Sequence, residues 1–389
     1  MSDFIPFTLH IFRGLPEENY VSMEVYADRL AESLIRLSPE KCRVHQVMPS
    51  KVRVPTILKR GHALSKFIRY YSKYVHYPRQ VAWQQEGINH IIDQSYGHLV
   101  HYLDASRTVV TCHDLMPLKV EEEVVPSSSS FRPGLYLAKY AYSGMVKASK
   151  IIADSECTRR DIEKYFDCAG KVRVIYPGVA SIYSVANEQE KLEAAIRFGL
   201  SDSGVYYLLN VGGVDGYKNI EGLLHAFAIL TKDLQLDAYL IRVGANLTSV
   251  QRSLAAKLGV SDKLIELGRL SDNDLRLVYN LADVLLFASF YEGFGWPPLE
   301  AMACGTSVVV STAPSLLEVV GDAALAVAPS NHRGMAEAVQ AVLTNQELRT
   351  RMIAKGLERA KMFSWDKTAA RVLNVYLEVL EEKQLLDAK

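Results

Sequence analysis

The stretch that decides the fold is residues 291–305, Tyr-Glu-Gly-Phe-Gly-Trp-Pro-Pro-Leu-Glu-Ala-Met-Ala-Cys-Gly. The apolar run before it, residues 283–289, predicts a buried strand. Prolines then open a short helix, because a proline in the first turn lacks only an N–H that has no partner there. Glu292 and Glu300 are therefore expected at the carboxyl end of a strand, where open α/β sheets bind their ligands. The helix N-terminus beside them favours an anion such as phosphate.

The run from Glu292 to Gly305 resembles the paired-glutamate motif of the retaining glycosyltransferases of family 4. Its glycines and aromatic residue, Gly293, Phe294 and Gly295, stand where the family has them. A strand-loop-helix corner with incidental acids is the alternative, and the continuous match disfavours it. The resemblance implies an α/β protein of the GT-B fold. Such a protein has two Rossmann-like domains facing each other across a cleft, with a C-terminal helix returning to the first domain.

A second motif follows the predicted strand 205–211. Residues 212–219 read Gly-Gly-Val-Asp-Gly-Tyr-Lys-Asn and lead into a helix. Glycines let the backbone approach phosphate, and Lys218 adds a positive charge at the helix start. The segment resembles the family's strand-loop-Lys-Asn element, whose lysine binds the donor diphosphate; an exposed lysine at a helix start is the alternative interpretation. Many members carry an arginine just after the first glycine, where this chain has Gly213. Either Lys218 and the backbone amides suffice, or another residue supplies the missing charge.

The resemblance also implies roles for the donor-site residues. Lys218 would stabilise the leaving diphosphate, Glu300 would accept hydrogen bonds from the ribose hydroxyls, and Glu292 would face the hexose and stabilise an oxocarbenium-like transition state. No metal and no cofactor are expected, and the nucleotide sugar, GDP- or UDP-linked, is the substrate. The substrate-binding residues implied in the second domain are Gly212, Gly213, Asn219, Gly244, Arg269, Leu270, Gly293, Phe294, Gly295 and Glu300.

In the first domain, small and polar residues follow the predicted strands. Strand 7–12 leads to Gly14, the position that approaches the donor phosphate or the acceptor in the family. No G-x-G-x-x-G fingerprint follows, which disfavours a dinucleotide-binding enzyme. Strand 107–112 ends in His113 and Asp114, which resembles the family's acceptor-domain strand ending in His-Asp. Both residues are therefore expected to shape the acceptor side.

The position of a further acceptor-side histidine is open between two residues. Residues 90–95 predict a core strand, and polar side chains follow it. His98 is a candidate because it follows this strand, but His90 matches the family almost as well. A histidine can donate or accept a proton near neutral pH, because its charge changes there.

Residues 51–79 are rich in lysine, arginine, tyrosine and phenylalanine. This composition suits an anionic membrane surface or a lipid-linked acceptor. The alternative is an exposed basic helix face whose tyrosines pack inward. Residues 121–132 predict a polar loop, which is either a flap over the acceptor or simply solvated.

Composition excludes several classes of protein. The 389 residues are 49% hydrophobic, and 44 basic residues balance 44 acidic ones, so no overall charge favours nucleic acid. Five scattered cysteines fit a reducing compartment better than a disulfide framework. Signal-peptide and membrane-span patterns are not evident. The sequence therefore predicts a cytoplasmic protein whose membrane contact, if any, is with the inner face.

These patterns predict an acceptor-binding Rossmann-like domain over residues 1–185 and a nucleotide-sugar-binding domain over 186–365, with residues 185–200 as a charged connector. Residues 366–389 are expected to form the helix that returns to the first domain. The predicted function is retaining hexosyl transfer to a glycan or lipid-linked acceptor in cell-surface polysaccharide or lipopolysaccharide synthesis. Resemblance to bacterial polysaccharide mannosyltransferases favours mannose. The alternatives are a non-catalytic sugar- or lipid-binding protein and a GT-B nucleotide-sugar epimerase.

Overall fold

The computed structural model describes residues 6–18, 21–52, 62–82, 86–122, 132–200 and 204–387. The described residues divide between two compact α/β units. The first draws on Met1–Pro117, Phe131–Gly178 and Trp365–Lys389, and the second on Leu118–Ser130 and Val179–Ser364. The division falls after Gly178 rather than after residue 185, and the stretch predicted as a connector contains helix Glu188–Phe198 of the second unit. The predicted loop 121–132 lies mostly outside the described residues.

The first unit contains a six-stranded sheet in the order β2-β1-β3-β4-β5-β6, with every pairing parallel. Its strands are β1 (Phe7–Phe12), β2 (Cys42–Val47), β3 (Ile88–Ile91), β4 (Thr108–Cys112), β5 (Lys150–Ala153) and β6 (Val172–Val174). The central strands β3, β4 and β5 are buried along their whole length, as expected of a parallel sheet covered on both faces.

The second unit contains another six-stranded parallel sheet, in the order β12-β11-β10-β7-β8-β9. Its strands are β7 (Tyr206–Gly212), β8 (Ala238–Gly244), β9 (Leu264–Gly268), β10 (Val284–Phe287), β11 (Ser307–Ser311) and β12 (Leu325–Val327). The order of strands reverses between β7 and β10, which pair through Leu208 and Val284. At such a reversal the following loops diverge and leave a crevice at the carboxyl ends of the two strands, where doubly wound sheets bind ligands.

Fifteen α-helices are found within the described residues. They are α1 (Val21–Leu37), α2 (His62–Tyr71), α3 (Tyr77–Val81), α4 (Met116–Glu121), α5 (Arg132–Met145), α6 (Glu156–Tyr165), α7 (Glu188–Phe198), α8 (Ile220–Ala228), α9 (Ser249–Lys257), α10 (Asp272–Leu281), α11 (Trp296–Ala303), α12 (Pro314–Val320), α13 (His332–Thr344), α14 (Gln346–Ala360) and α15 (Trp365–Asp387). In the second unit, Leu223 and Phe227 of α8 and Met335 and Val339 of α13 are fully buried in one apolar core with the sheet.

Helix α15 belongs to the first unit, as the sequence predicts for its C-terminal helix. Tyr376 lies in the core, and its hydroxyl is 2.7 Å from Nδ1 of His90 on β3. Closer to the C-terminal end of the helix, Nζ of Lys150 donates to Oε1 of Glu382 at 2.5 Å. The last helix is therefore joined to the first sheet through both apolar packing and polar contacts.

Most predicted elements lie within a few residues of the observed ones, but the strand predicted at 90–95 is wrong. Strand β3 spans Ile88–Ile91 instead. The carboxylate of Asp93 accepts a hydrogen bond from the backbone N of Ser95 at 2.7 Å and begins the 3-10 helix Gln94–Tyr102. A capping carboxylate thus ends the extended chain before the polar residues that the prediction had included.

Candidate active site

Asn219 fixes the loop between β7 and α8. Its backbone has φ 56°, in the left-handed region that asparagine tolerates better than most residues. Its Oδ1 accepts from the backbone N of Gly222 at 3.2 Å and caps α8. Its Nδ2 donates to the carbonyl oxygens of Ala288 and Pro329 at 3.0 and 2.9 Å. The side chain predicted to bind donor is thus engaged within the protein, and it holds the loop after β7 against the loop after β10.

Lys218 and Glu292, which come from separate sequence motifs, meet at the reversal of the sheet. Nζ of Lys218 lies 2.8 and 2.9 Å from the two carboxylate oxygens of Glu292, and the side chains are only 18% and 11% exposed. The backbone fixes both residues: Phe290 N donates to Tyr217 O at 2.8 Å, and Oγ of Ser315 donates to Glu292 O at 2.6 Å. A cation and a carboxylate therefore face each other at one point, where they can stabilise charges that separate during a reaction.

Glu300, on α11, lies under the same end of the sheet and is held by Tyr279. The Tyr279 hydroxyl donates to Oε2 of Glu300 at 2.8 Å. Tyr279 itself is fully buried, and its carbonyl oxygen accepts from Oγ1 of Thr306 at 2.6 Å. Burial raises the pKa of Glu300 to about 7, although the hydrogen bond from Tyr279 opposes the shift. The carboxyl group therefore titrates much closer to neutral pH than an ordinary glutamate does. No sequence motif indicated Tyr279, which lies inside an ordinary helix.

Two glycines are required by a positive φ, a backbone conformation that other residues rarely adopt. Gly244 has φ +113°, and a Cβ there would lie 2.4 Å from the carbonyl oxygen of Gly212 on the paired strand. Gly295 has φ +131°, and a Cβ there would lie 2.7 Å from Cδ2 of Leu316. The first glycine lets the ends of β7 and β8 come together, and the second turns the chain into α11. That helix begins at Trp296, and both prolines lie in its first turn.

Other predicted donor-site residues are placed differently. Phe294 is buried against Phe363, with ring centroids 5.8 Å apart, so its side chain belongs to the core. Gly293 lies half-buried in the loop beside Glu292. Arg269 and Leu270 follow the edge strand β9, two strands from β7. The structure thus brings Lys218 and Glu292 together at the ends of β7 and β10, whereas the turn after β9 lies at the edge of the sheet.

In the first unit, His113 is buried with both ring nitrogens engaged, and the role expected of it on the acceptor side stays a prediction. Nδ1 is hydrogen-bonded to the carboxylate of Asp154, and Nε2 lies 2.7 Å from the carbonyl oxygen of Ile92. Burial alone would lower the pKa of His113, but the charge and hydrogen bond of Asp154 raise it to about 9. The ring is therefore an imidazolium with both N–H groups engaged. Asp114 accepts from the backbone N of Met116 at 2.9 Å and begins the turn into α4.

The raised pKa of His113 predicts a pH-dependent stability. A pKa above the unfolded value of about 6.5 stabilises the fold fully below that pH, and the contribution is lost as pH rises towards 9. We expect His113→Gln to lower the free energy of unfolding most at pH 6–7 and progressively less by pH 10. Urea unfolding at several pH values measures this difference, with the exposed His45→Gln as control. A difference that does not change between pH 6 and 10 contradicts the assignment.

Neither of the two other candidate histidines reaches the surface. His98 is fully buried, its Nε2 lies 2.9 Å from the carbonyl oxygen of Lys73, and burial lowers its pKa to about 4. His90 contacts Thr111 through Nε2 at 2.8 Å and Tyr376 through Nδ1, and burial lowers its pKa to about 3. Both rings are therefore neutral and hydrogen-bonded in the interior of the first unit, and the acceptor-side role expected of one of them stays a prediction. Strand-end position alone did not distinguish a buried ring from an exposed one.

Gly14 lies in the loop after β1, which Tyr96 holds in place. The Tyr96 hydroxyl accepts from the backbone N of Leu15 at 2.7 Å and donates to Oε2 of Glu18 at 2.7 Å. A Cβ on Gly14 would lie 3.2 Å from Cε2 of the Tyr96 ring. The Tyr96 ring therefore leaves little room for a side chain at position 14 in the loop after β1.

The basic and aromatic segment divides between surface and interior. Phe67 on α2 is 64% exposed, and Tyr71 is also exposed. Lys73 is buried and pairs with Glu18, with Nζ 3.1 Å from the carboxylate. Residues 53–61 of the segment lie outside the described part of the chain. Within the described ranges, none of the helices combines the length and apolarity needed to cross a bilayer.

Comparison with known proteins identifies the family. A family model described as Glycosyltransferase Family 4 matches residues 23–181, and one described as Glycosyl transferases group 1 matches residues 193–359. O-antigen chain mannosyltransferase B of Escherichia coli is 30% identical over 307 residues, which are 77% of this chain and 77% of that protein. Serotype-specific mannosyltransferase WbdA of Escherichia coli is 31% identical over 291 residues, which are 72% of this chain. The chain spans only 35% of the length of WbdA.

Among solved structures, sucrose-phosphate synthase from Thermosynechococcus elongatus superposes with a TM-score of 0.76 at 19% identity, covering 98% of this chain and 100% of that one. At this identity the likeness establishes the fold. The two family models match both halves of the sequence, and the O-antigen mannosyltransferase is related over most of its own length. The chain therefore belongs to the family 4 glycosyltransferases and has their GT-B fold.

Proposed function

We propose that the chain transfers a hexose, with retention of anomeric configuration, from a nucleoside-diphosphate sugar to a glycan or lipid-linked acceptor in cell-surface polysaccharide synthesis. The observation that carries the proposal is the ion pair of Lys218 and Glu292 at the reversal of the second sheet. Mannose is the proposed sugar, since both E. coli relatives are named mannosyltransferases. GDP and UDP remain the two candidate carriers.

The proposed reaction uses the pair in its separated form. When the donor binds, Lys218 turns from Glu292 to the diphosphate, and Glu292 is left facing the sugar ring. The bond between C1 of the sugar and the diphosphate oxygen breaks, and the acceptor oxygen forms its bond to C1 from the same face. The acceptor proton passes to the departing diphosphate. Lys218 and the loop amides stabilise the charge on the leaving group, so we propose that no metal ion is needed and that EDTA leaves activity unchanged.

The alternatives are less well supported. A non-catalytic binding protein would not need a cation and a carboxylate held together at the ligand-binding end of the sheet. An epimerase is not suggested by the relatives, which are named as sugar transferases.

A panel of GDP-, UDP- and ADP-sugars tests the proposal. We expect one nucleotide class to raise the melting temperature and to release nucleoside diphosphate slowly, because a bound ligand stabilises the folded state by mass action. A protein that is neither stabilised nor active with any member of the panel contradicts the proposal.

The raised pKa of Glu300 predicts how donor binding depends on pH. Only the ionised carboxylate can accept two hydrogen bonds from ribose, so with a pKa of about 7 the affinity should rise up to about tenfold between pH 6 and 8. Calorimetry with an intact nucleotide sugar measures this, because a terminal phosphate would itself titrate near pH 6. Glu300→Gln is the matched control and should bind with the same affinity at both values. A flat profile for the wild-type protein contradicts this role of Glu300.

We also propose peripheral contact of the first unit with an anionic membrane at its cytoplasmic face. Exposed Phe67 and Tyr71 share α2 with Lys66 and Arg69. Apolar rings beside cations suit the headgroup region of such a membrane. In a flotation assay with anionic vesicles, the wild-type protein should be recovered with the floating vesicles and Phe67→Ser should not. Equal recovery of the two proteins with the vesicles would contradict the contact.

A further inference from the structure

Arg242 is a buried cation directly beneath the loop that follows β7. It lies on β8 opposite Asn210 of β7, and only 2% of the residue is exposed. Nη1 donates to Oδ1 of Asn210, whose own Nδ2 donates to Leu286 O at 2.7 Å. Arg242 is thus anchored to β7 and, through Asn210, to β10. These are the strands between which the order of the sheet reverses.

The other end of the guanidinium contacts the loop itself. Nη2 lies 3.3 Å from the carbonyl oxygens of Gly212, Gly213 and Ala245. In a trans peptide the N–H points away from the C=O of the same unit. Holding the first two carbonyls inward therefore turns the N–H groups of Gly213 and Val214 away from Arg242. Neighbouring N–H groups directed to one side form an anion-binding concavity.

Burying the charge of Arg242 at this position lowers the stability of the fold unless another role offsets it. No carboxylate among the described residues pairs with Arg242, and Glu266, which acts on it electrostatically, pairs with Arg252 instead. Its Nε has no hydrogen-bond partner within the described part of the chain. Burial lowers the pKa of Arg242 to about 10, so the group still carries its charge at neutral pH. An apolar side chain of similar volume would avoid this desolvation.

We propose that Arg242 is the positioning residue of the phosphate loop: it orients the amides after Gly212 and places a fixed positive charge under the donor diphosphate. The inference rests on the proposed function. It also accounts for Gly213, where the sequence lacks the positive side chain expected beside a diphosphate. In this chain the charge approaches the loop from the neighbouring strand, below the backbone.

Calorimetric titration with a nucleoside, its monophosphate and its diphosphate tests the inference, using the base that stabilises the wild-type protein. Arg242→Met should weaken diphosphate binding about tenfold or more, the usual effect of losing an interaction with a charged group. Nucleoside binding should change less than about twofold, because in the proposed site only the diphosphate meets the loop amides. Arg242→Lys keeps the positive charge but loses the planar set of N–H donors of the guanidinium, so its loss of diphosphate affinity should be intermediate. Arg333→Met, an exposed ion-pair variant in the same unit, is the control.

A merely structural role would weaken nucleoside and diphosphate binding by the same factor, and that result overturns the inference. Unchanged diphosphate binding in folded Arg242→Met overturns it as well. If Arg242→Met fails to fold, Arg242→Lys decides by the same comparison. A wild-type protein that binds no nucleotide overturns the proposed function and this inference together. If the wild-type protein binds nucleotide but the variants do not show the expected selective loss, only this inference is overturned.

Discussion

Lys218→Ala is expected to lower the rate of nucleoside-diphosphate release from the bound donor by about 10²–10³-fold, the usual effect of removing one preorganised group that stabilises transition-state charge. The ammonium lies 2.8 Å from Glu292 and is mostly buried, so its charge is little screened by solvent. Donor affinity should fall less than turnover, because the charge on the leaving oxygens is greatest in the transition state.

The matched control is Lys257→Ala, which removes an exposed lysine from α9 of the same unit. Its turnover should equal that of the wild-type protein. A Lys218→Ala protein that is folded and fully active would show that the ion pair is structural and would remove the main support for the donor site.

Glu292→Gln is expected to reduce turnover by about 10²-fold while changing donor affinity little. Glutamine keeps the size and hydrogen-bonding reach of the side chain and removes its charge, so the loss reports the electrostatic contribution to the transition state. Circular dichroism and urea unfolding establish that the variant is folded.

The two residues should also behave as one unit. Because Lys218 and Glu292 are in direct contact, the double variant Lys218→Ala with Glu292→Gln should lose much less than the product of the single losses. Multiplicative losses would mean that the two side chains act independently, which contradicts a shared site.

Local sequence patterns predicted the fold well because each element carries its own signal. The buried run of β10, the proline at the start of α11 and the glycine-lysine turn after β7 are all readable over a few residues. The alternation of strands and helices favours parallel sheets, but the two sheets pair their strands in different orders, so only the structure shows the order.

The candidate residues that the sequence indicated lie in two short motifs, and the residues that it did not indicate come from elsewhere in the chain. Arg242 and Tyr279 reach the site from a strand and a helix that are ordinary in sequence, so only the three-dimensional structure reveals their contacts. The partner of His113 was missed for the same reason: Asp154, which engages the ring, lies 41 residues later in the chain.

A crystal structure with the nucleoside diphosphate that stabilises the protein most tests the proposed donor site directly. In that structure we expect Nζ of Lys218 to leave Glu292 and to lie about 2.7–2.9 Å from a phosphate oxygen, the usual length of a charge-assisted hydrogen bond. We also expect backbone N–H groups of the loop after Gly212 to donate to the same diphosphate. A diphosphate bound elsewhere, with the Lys218–Glu292 pair intact, would contradict the donor site proposed for this chain.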